Sequence, residues 1–300
     1  MDSVTIVEVG PRDGFQSVAT FIPTDRKVQI VRALLSAGLR RIEVGSFVSR
    51  TALPQMSDIR DLLSALGPVQ AALSVLVPNL KGATLALEAG VRDLVVVVSA
   101  SEAHNARNVR MPVSESLADI RRIAAEAGSA GRLRVNIATA FHCPFEGRTP
   151  IDRVVHVIDT LVGAVPEGAE FALCDTTGRA LPAEVSAAFE ICARRFPGVT
   201  FAYHAHDTFG LGCATSWAAY QQGVRILDAS IAGLGGCPFA PGATGNVATE
   251  DLVYLFEGSG ILTGIDPGRL LEAARMTEAI EGAEVGGRVR SALGAGAWPV

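Results

Sequence analysis

The chain has 300 residues, of which 49% are hydrophobic, so it can bury a large core and is not expected to be disordered. Its net charge of −5 and the absence of any run of Lys or Arg argue against a nucleic-acid partner. No apolar run is long enough to cross a bilayer, and the first residues enter a strand pattern without a leader, so we expect a cytoplasmic protein with no membrane partner. The chain has five Cys without CxxC spacing, which fits a reducing compartment better than a disulfide framework. One of these thiols could be catalytic.

Short β-branched runs alternate with longer helical stretches along the chain. The predicted strands begin near Val4, Arg40, Ala71, Asp93, Leu133, Glu170, Val199 and Ile226. The stretches between them place apolar residues at helical spacing and stop at Gly or Pro, as in "DRKVQIVRALLSAG" and "PAEVSAAFEICARRF". Eight strand–helix units in a chain of this length predict an α/β fold, a (β/α)8 TIM barrel, with an open doubly wound sheet as the structural alternative.

The carboxyl-terminal part of the chain extends this pattern. The eighth helix is predicted at "TEDLVYLFEGSG", and "DPGRLLEAARMTEAIEG", from Asp266 onward, predicts further helix outside the barrel. No linker or low-complexity tract divides the sequence. We therefore predict a single catalytic domain over residues 1–300, with the barrel at about 4–258 and a helical extension at about 266–300.

Polar and charged residues recur where the predicted strands end. They are Arg12 and Asp13 after strand 1, Glu43 and Ser46 at strand 2, Asp175 and Thr176 at strand 6, His204, His206 and Asp207 at strand 7, and Asn246 after strand 8. The carboxyl ends of barrel strands meet at one face, where barrel enzymes hold their catalytic groups. We therefore expect these side chains to converge on one site.

The sequence "YHAHD" places His204 and His206 two residues apart, so on a strand both imidazoles face the same side. They could bind one metal ion together, or they could simply form hydrogen bonds in the mouth of the barrel. Adding Asp13 and Asn246 favours the metal, because two imidazoles with a carboxylate and an amide oxygen suit Mg²⁺, Mn²⁺, Co²⁺ or Zn²⁺. Beside such a site Arg12 could stabilise a developing enolate, or it could only form a salt bridge with a neighbouring carboxylate.

The stretch "GLGGCPFAPGATGNVATED", from Gly233 to Asp251, is long and rich in Gly and Pro, which is typical of a lid over an active site. Cys237 lies inside this stretch, and a thiol that becomes desolvated when a lid closes is suited to proton transfer. The sequence does not decide whether Cys143 is a reactive thiol or a small buried hydrophobic residue. The cysteines that we expect to be small buried hydrophobic residues are Cys174, Cys192 and Cys213.

Four blocks of the sequence resemble the signature motifs of one enzyme family. They are "VEVGPRDGFQS", "IEVGSFVS" followed by "LPQMSD", "HAHDTFG", and "AGLGGCPFAPGATGNVATEDLVYLFEG". Through these blocks the chain resembles the 3-hydroxy-3-methylglutaryl-CoA (HMG-CoA) lyases, within the DRE-type TIM-barrel metallolyases, from Val4 to about Asp266. The resemblance implies a metal-dependent carbon–carbon lyase, an oxo-acid lyase that cleaves an HMG-CoA-type thioester to acetyl-CoA and acetoacetate by retro-Claisen or retro-aldol chemistry.

The resemblance also implies roles for individual residues. The implied metal ligands are Asp13, His204, His206 and Asn246. The implied catalytic residues are Arg12, which polarises the substrate carbonyl, Glu43, Asp175, and Cys237 on the lid, with Asp13 or His204 as the base. The implied substrate-binding residues are Gln16, Ser46, Asn108 and Thr176. The expected partners are an acyl-CoA substrate and further copies of the chain in a homodimer or higher homo-oligomer, without an organic cofactor beyond the CoA itself.

Two departures from the family pattern concern the acyl pocket. Asn136 and His142 stand where a Tyr and a Gly are expected, and Arg110 follows soon after Asn108. We therefore keep as an alternative a lyase for a different 3-hydroxy-3-substituted acyl-CoA. A related acetyl-CoA-condensing synthase is a further alternative, although such enzymes are expected to lack the cysteine lid. The pathways that the resemblance implies are leucine degradation and ketone-body formation.

Overall fold

Strands and helices alternate along the chain in the computed structural model, which describes residues 2–128, 131–236, 245–294 and 298. The strands are β1 (Thr5–Glu8), β2 (Arg41–Ser46), β3 (Ala72–Leu76), β4 (Asp93–Ser99), β5 (Leu133–Ala138), β6 (His142–Cys143), β7 (Gly147–Arg148), β8 (Glu170–Asp175), β9 (Thr200–Ala205) and β10 (Ile226–Ala229). The α-helices are α1 (Thr24–Ser36), α2 (Ile59–Leu66), α3 (Leu80–Glu88), α4 (Glu102–Asn108), α5 (Val113–Ala127), α6 (Ile151–Leu161), α7 (Pro182–Arg195), α8 (Gly212–Gln221), α9 (Thr249–Gly258), α10 (Pro267–Glu278) and α11 (Val289–Leu293). A short π-helix, Gly10–Gly14, follows β1, and 3-10 turns lie at Pro54–Met56 and Ile231–Gly233.

Eight parallel strands close into a barrel in the order β1, β10, β9, β8, β5, β4, β3, β2. β1 pairs on one side with β10, Thr5 opposite Ile226, and on the other side with β2, Glu8 opposite Ile42. The predicted (β/α)8 TIM barrel is therefore confirmed. The alternative of an open doubly wound sheet is wrong, because the eight strands close on themselves and the sheet has no edge strand. The pattern did not predict the antiparallel hairpin of β6 and β7, which lies between β5 and α6.

Most barrel strands, such as β5 and β8, are buried on both faces, which explains why they were recognisable as nearly continuous apolar runs. On β5, Val135 and Ile137 belong to the main hydrophobic core together with the helices, and the residues between them point into the barrel. Inside the barrel, the small residues Ala172, Cys174 and Ala202 pack together. Their size leaves room within the barrel for polar side chains from neighbouring strands.

Helix α1 shows how local sequence fixes the boundaries of the surrounding helices. Its start follows Pro23, whose fixed φ suits the residue before a helix, and its buried face includes Val31 and Leu34. Gly38 ends it with a φ of +103°, and a Cβ there would lie 2.6 Å from the carbonyl oxygen of Gly264. Only glycine fits that close approach, so the end of α1 is fixed by both conformation and packing.

The chain after the barrel is partly helical. Asp266 caps α10 by accepting a hydrogen bond from the backbone nitrogen of Arg269 at 3.1 Å, and α10 packs against α1. Residues 279–288 form no helix before α11, so the helical extension is interrupted. Asp251 on α9 binds this non-helical segment, because its carboxylate accepts from the backbone nitrogens of Arg288 and Val289 at 2.8 Å each.

Glu8 joins β1 to the segment that follows β10. Its Oε1 accepts hydrogen bonds from the backbone nitrogens of Gly10, at 2.7 Å, and Ile231, at 2.8 Å, and its Oε2 accepts from Thr249 Oγ1 at 2.7 Å. Glu8 is fully buried, and burial raises its pKa to about 7 despite these three donors. No described helix combines the length and the apolar character that a bilayer span requires.

Candidate metal and substrate site

A cavity of about 280 Å³ opens at the carboxyl ends of the barrel strands. Predicted site residues that line it are Arg12, Asp13, Gln16, Ser46, Asn108, Thr176, His204 and His206. The structure therefore brings together most of the side chains that the sequence placed at the strand ends. Glu43, Asp175 and Asn246 are buried beside this group without lining the cavity, and Cys237 lies outside the described residues.

The π-helix after β1 turns Arg12 and Asp13 into the barrel instead of into solvent. The backbone nitrogens of both residues donate to the carbonyl oxygen of Val9, at 3.0 and 2.7 Å, which winds the chain tightly after the strand. Gly10 is required by packing, because a Cβ there would lie 2.6 Å from Glu8 Oε1. Arg12 and Asp13 are consequently only 6% and 8% exposed.

Arg12 is held between two carboxylates. Its Nε donates to Glu43 Oε1 at 2.7 Å, its Nη2 donates to Glu43 Oε2 at 3.2 Å, and its Nη1 donates to Asp13 Oδ1. Burial alone would lower the pKa of the guanidinium, but the charges of Asp13 and Glu43 outweigh it and raise the pKa. A guanidinium carries five N–H groups, so about two remain for a ligand. The salt bridge anticipated as an alternative is present and still leaves Arg12 donors on the cavity.

Asp13, His204 and His206 form a compact group of possible metal ligands. One ligand atom from each lies within 4.8 Å of the others, and all three residues are buried. Burial would raise the pKa of Asp13, but Arg12 and the two imidazoles lower it to about 2, so the carboxylate is ionised. Burial, followed by the charge of His204, lowers the pKa of His206 to about 4, so its imidazole is neutral. An ionised carboxylate and a neutral imidazole are the forms that bind a cation.

Asn246 joins this group from the segment after β10. Its Nδ2 donates to Asp13 Oδ2 at 2.8 Å and to the carbonyl oxygen of Leu234 at 3.0 Å. Its Oδ1 is buried without a hydrogen-bond partner among the described residues, and so is His206 Nδ1. Buried polar atoms without partners are uncommon in folded proteins. Two such acceptor atoms beside an ionised carboxylate fit a divalent cation, so the residues present suit the metal that the sequence predicted.

Asp228 and Arg134 belong to the site, although the sequence did not single them out. Asp228 Oδ2 accepts from His204 Nδ1 at 3.0 Å, which leaves His204 Nε2 free to act as a ligand. Arg134 Nη2 donates to both oxygens of Asp228 at 2.7 Å. Burial would raise the pKa of Asp228, but Arg134 and then His204 lower it. The only sequence signal was a charged residue inside each apolar strand, Arg134 in β5 and Asp228 in β10.

Asp175 faces away from the cavity. Its neighbours on β8, Cys174 and Thr176, line the cavity, as strand alternation requires. The Asp175 carboxylate instead accepts from the backbone nitrogens of Arg179 at 3.1 Å and Ala180 at 3.0 Å. Burial raises its pKa to about 6. Its observed contacts therefore shape the turn after β8 and do not reach the cavity.

The remaining polar groups of the cavity differ in how fully they are bonded. Thr176 Oγ1 accepts from the backbone nitrogen of Thr139 at 2.7 Å, and Gln16 Nε2 donates to Asp13 Oδ1 at 2.9 Å. Ser46 Oγ is buried without a partner in the described part of the chain. Asp207, also predicted at a strand end, accepts from the backbone nitrogen of Gly212 at 2.7 Å and starts α8. Ser46 thus remains available to a bound ligand.

The departures from the family pattern have different positions. Asn136 lines the cavity, whereas His142 pairs with Glu184 at 3.2 Å on the β6–β7 hairpin. Arg110 is exposed, with a φ of +60°. Cys143, Cys174 and Cys192 are buried and Cys213 is partly buried, so the prediction of small buried residues holds for Cys174 and Cys192. Of the three departures, Asn136 is the one that lines the cavity.

Comparisons with known proteins agree with this geometry. The profile of the HMGL-like family matches residues 3–277. The (R)-citramalyl-CoA lyase of Chloroflexus aurantiacus is 40% identical over 290 residues, covering 91% of this chain and 90% of that protein. The hydroxymethylglutaryl-CoA lyase of Pseudomonas mevalonii is 40% identical over 299 residues, covering 98% of this chain and 94% of that protein. An HMG-CoA lyase structure from Acinetobacter baumannii, in complex with coenzyme A and 3-methylmalate, has a TM-score of 0.92 at 36% identity and covers 100% of this chain and 98% of that chain. The chain belongs to the HMGL-like family and is a carbon–carbon lyase of the HMG-CoA lyase type that acts on a CoA thioester.

Proposed function

We propose that the protein cleaves 3-hydroxy-3-methylglutaryl-CoA to acetyl-CoA and acetoacetate with a divalent cation bound in the barrel mouth. The observation that carries this proposal is the buried group of Asp13, His204 and His206, at the edge of the cavity that Arg12 lines. Beside it lies Asn246 Oδ1, which has no hydrogen-bond partner among the residues that the structure describes. Hydroxymethylglutaryl-CoA lyases of Pseudomonas mevalonii and Bacillus subtilis, 40% and 39% identical over more than 90% of this chain, support the choice of substrate.

The residues that would hold the cation are Asp13, His204, His206 and Asn246. A bound Mg²⁺ or Mn²⁺, or alternatively Co²⁺ or Zn²⁺, supplies Lewis acidity toward the oxygens of the substrate. Asp228 and Arg134 support this group, because the hydrogen bond from His204 Nδ1 to Asp228 fixes the orientation of the imidazole. Such supporting partners raise the basicity of the ligand and limit its motion.

Arg12 offsets the negative charge that develops when the carbon–carbon bond breaks. The proton of the substrate's C3 hydroxyl passes to Asp13 or His204, a carbonyl forms at C3, and the electron pair of the C2–C3 bond remains on the acetyl-CoA fragment as an enolate. The N–H groups of Arg12 that Glu43 and Asp13 do not occupy can donate to the enolate oxygen. Since the two carboxylates hold the guanidinium before the reaction, it needs no reorganisation during it.

The enolate requires a proton at C2 to leave as acetyl-CoA. Cys237 is the donor that we propose, because its thiol belongs to the Gly- and Pro-rich stretch from Gly233 to Asp251, whose composition is typical of a lid, and a lid excludes competing water. Gly236, the last described residue before this stretch, lines the cavity. Cys237 is the next residue in the sequence.

A second candidate substrate is citramalyl-CoA. The (R)-citramalyl-CoA lyase of Chloroflexus aurantiacus matches 91% of this chain at 40% identity, and Asn136 stands in the cavity where the family resemblance predicts Tyr. Citramalyl-CoA carries its carboxylate directly on C3, so the same bond cleavage yields acetyl-CoA and pyruvate. The metal-binding residues and Arg12 would perform the same steps on either acyl group.

The test is the release of products from both thioesters. Purified protein is stripped with chelator and supplied in turn with Mg²⁺, Mn²⁺, Co²⁺ or Zn²⁺, and acetyl-CoA, acetoacetate and pyruvate are measured. We expect cation-dependent formation of acetyl-CoA and acetoacetate in equal amounts, with a higher kcat/KM for HMG-CoA than for citramalyl-CoA. Preferential formation of pyruvate would establish the second candidate. Product release that survives chelation, or no release from either thioester, would refute the proposal.

A further inference from the structure

We propose that Asn136 recognises the acyl group of the substrate, with its Nδ2 donating a hydrogen bond to a carboxylate oxygen at the end of the acyl chain. This inference rests on the acyl-CoA lyase function proposed above and adds the residue that selects the acyl group. Asn136 lies on β5, is only 5% exposed, and lines the cavity together with Arg12 and His204. It is therefore positioned to contact the part of a ligand that enters the barrel.

The orientation of the Asn136 amide follows from its neighbour Arg134. Arg134 Nε donates to Asn136 Oδ1 at 3.0 Å. A guanidinium has only donors, so the amide oxygen must face Arg134 and the amide nitrogen must face away from it. In the described parts of the chain no group accepts a hydrogen bond from Asn136 Nδ2. The cavity wall thus presents a fixed donor that lacks an acceptor within the described protein.

Arg134 is itself held rigidly. Its Nη2 donates to both oxygens of Asp228 at 2.7 Å, and both side chains are buried. Rotation of Arg134 away from Asp228 would leave a buried charge unpaired, which is strongly unfavourable. The Asn136 amide is therefore set in its orientation before substrate binds, and this reduces the entropy that binding would otherwise cost.

The chemistry of this group favours a carboxylate as the acceptor. A hydrogen bond from a cationic donor to Oδ1 polarises the amide and strengthens its remaining N–H as a donor. Hydrogen bonds to charged groups are about twice as strong as those between neutral groups. Nδ2 would stay unpaired if an acyl group without an acceptor filled the cavity, so such a group is rejected.

The experiment pairs variants of Asn136 with three acyl-CoA ligands. The ligands are HMG-CoA, its carboxamide analogue, and an analogue in which an isopropyl group of similar shape replaces the carboxylate. Asn136→Leu keeps the side-chain size and removes the donor, whereas Asn136→Asp keeps the acceptor for Arg134 and replaces the donor with a second acceptor. Ala138→Val, on the same strand and in the same cavity, is the control that changes shape alone. Dissociation constants are measured by calorimetry, and acetyl-CoA release is followed in parallel.

We expect the parent protein to bind HMG-CoA about 10- to 100-fold more tightly than the isopropyl analogue. Asn136→Leu should reduce this ratio by about 10-fold or more with little change in affinity for the isopropyl analogue. Asn136→Asp should prefer the carboxamide, because the amide can donate where the carboxylate is repelled. Ala138→Val should change all three affinities by a similar factor.

The inference would be overturned if Asn136→Leu left the ratio unchanged or weakened all three ligands alike. Thermal unfolding measures whether each variant is folded. If Asn136→Leu does not fold, the inference is tested by whether Asn136→Asp binds the carboxamide more tightly than HMG-CoA. The failure of this inference is separate from that of the proposed function. Cation-dependent acetyl-CoA release by the parent protein tests the function, whereas the ratio of dissociation constants tests Asn136.

Discussion

Arg12 and Asp13 combine two features that are rarely found together in a turn, opposite charge and burial. Each is less than one-tenth exposed, and with Glu43 they form a group of hydrogen-bonded charges at the barrel mouth. A buried charge needs both a partner and hydrogen bonds, and Glu43 and Asp13 provide both for Arg12. As a result, the Arg12 guanidinium has a defined orientation at the place where we propose that negative charge develops on the substrate.

Replacing Arg12 with Lys should therefore lower turnover although the charge is kept. A lysine ammonium cannot donate to both oxygens of Glu43 in one plane while also facing the substrate. We expect kcat to fall by about 10²–10³-fold with little change in KM, because the lost interaction is formed mainly in the transition state. Steady-state kinetics with Arg41→Lys as the control, at the opposite end of β2, gives the comparison. Equal turnover in the parent and the Arg12 variant would remove Arg12 from the mechanism.

Cys237 is expected to be the thiol on which activity depends. Burial raises the pKa of Cys192 and Cys213 to about 12, so these thiols should react slowly with alkylating reagents. Cys237→Ser should fold and bind cation like the parent, yet lose about 10²-fold or more in turnover, because an alcohol is a much weaker acid than a thiol.

The control for Cys237 is chemical as well as genetic. Iodoacetamide should inactivate the parent and Cys213→Ser at the same rate, and bound acyl-CoA should protect both. If iodoacetamide abolishes the residual activity of Cys237→Ser at the same rate as the activity of the parent, then the activity depends on another thiol. Full turnover by Cys237→Ser would leave the loop with a shielding function only.

At the scale of strands and helices, the sequence predicted positions along the chain better than contacts across the barrel. The alternation of strands and helices predicted all eight barrel strands, and the two-residue spacing of His204 and His206 predicted that they share a face. Arg134 and Asp228 were missed because they are 94 residues apart, and their pairing depends on the register across the barrel. Asp175 was assigned to the site from its position at a strand end and from the family resemblance, whereas strand alternation directs its side chain away from the cavity.

The hairpin of β6 and β7 was missed for a different reason. Its strands are two residues long, so no period-two pattern can be recognised in "HCPFEGR". The π-helix after β1 was likewise unpredictable from propensity, because Gly and Pro at its start are typical of an ordinary turn. Tertiary contacts with the segment after β10, through Glu8 and Ile231, stabilise it instead.

Glu8 makes the junction of β1 with that segment sensitive to pH. Its pKa is raised from 4.5 to about 7, so its contribution to stability is fully present below pH 4.5 and is lost as the pH rises through about 7. In Glu8→Gln the amide oxygen can accept both backbone N–H groups and Thr249 Oγ1 can accept from the amide nitrogen, so this pH dependence should disappear. Between about pH 5 and about pH 8 the free energy of unfolding of the parent should fall by up to about 3 kcal/mol relative to Glu8→Gln.

Urea denaturation in chelator at a series of pH values measures this difference. Glu190→Gln is the control, because Glu190 lies on the exposed face of α7 and undergoes the same chemical change. It should follow the parent at every pH. A parallel loss of stability in the parent and in Glu8→Gln would show that Glu8 does not titrate in this range.

At the scale of the whole molecule, the four proposed ligands come from distant parts of the chain. Asp13 follows β1, His204 and His206 lie on β9 and directly after it, and Asn246 follows β10. Only the closed barrel brings them together, so a cation that binds there binds the folded state and not the unfolded chain. Folding and cation binding are therefore thermodynamically linked.

Thermal unfolding should show this linkage directly. At a free cation concentration about 100 times the Kd, the free energy of unfolding should rise by about 2.7 kcal/mol, and the Tm should rise by several degrees. His206→Asn should abolish most of the shift, whereas His156→Asn, on the exposed face of α6, should keep it. An equal shift in both variants would place the cation elsewhere.

Because β1 pairs with β10, with Thr5 opposite Ile226, the barrel can close only after β10 has been synthesised. β10 leaves the ribosome about 220 residues after its partner β1, a delay of roughly 10–45 s at typical elongation rates. Throughout this interval β1 and its neighbours have an unpaired edge and no closed interior, and this exposes them to aggregation or to capture by chaperones. A stalled or truncated chain that ends before Asn246 lacks one of the proposed ligands, so we expect catalysis to begin only after Asn246 has been synthesised.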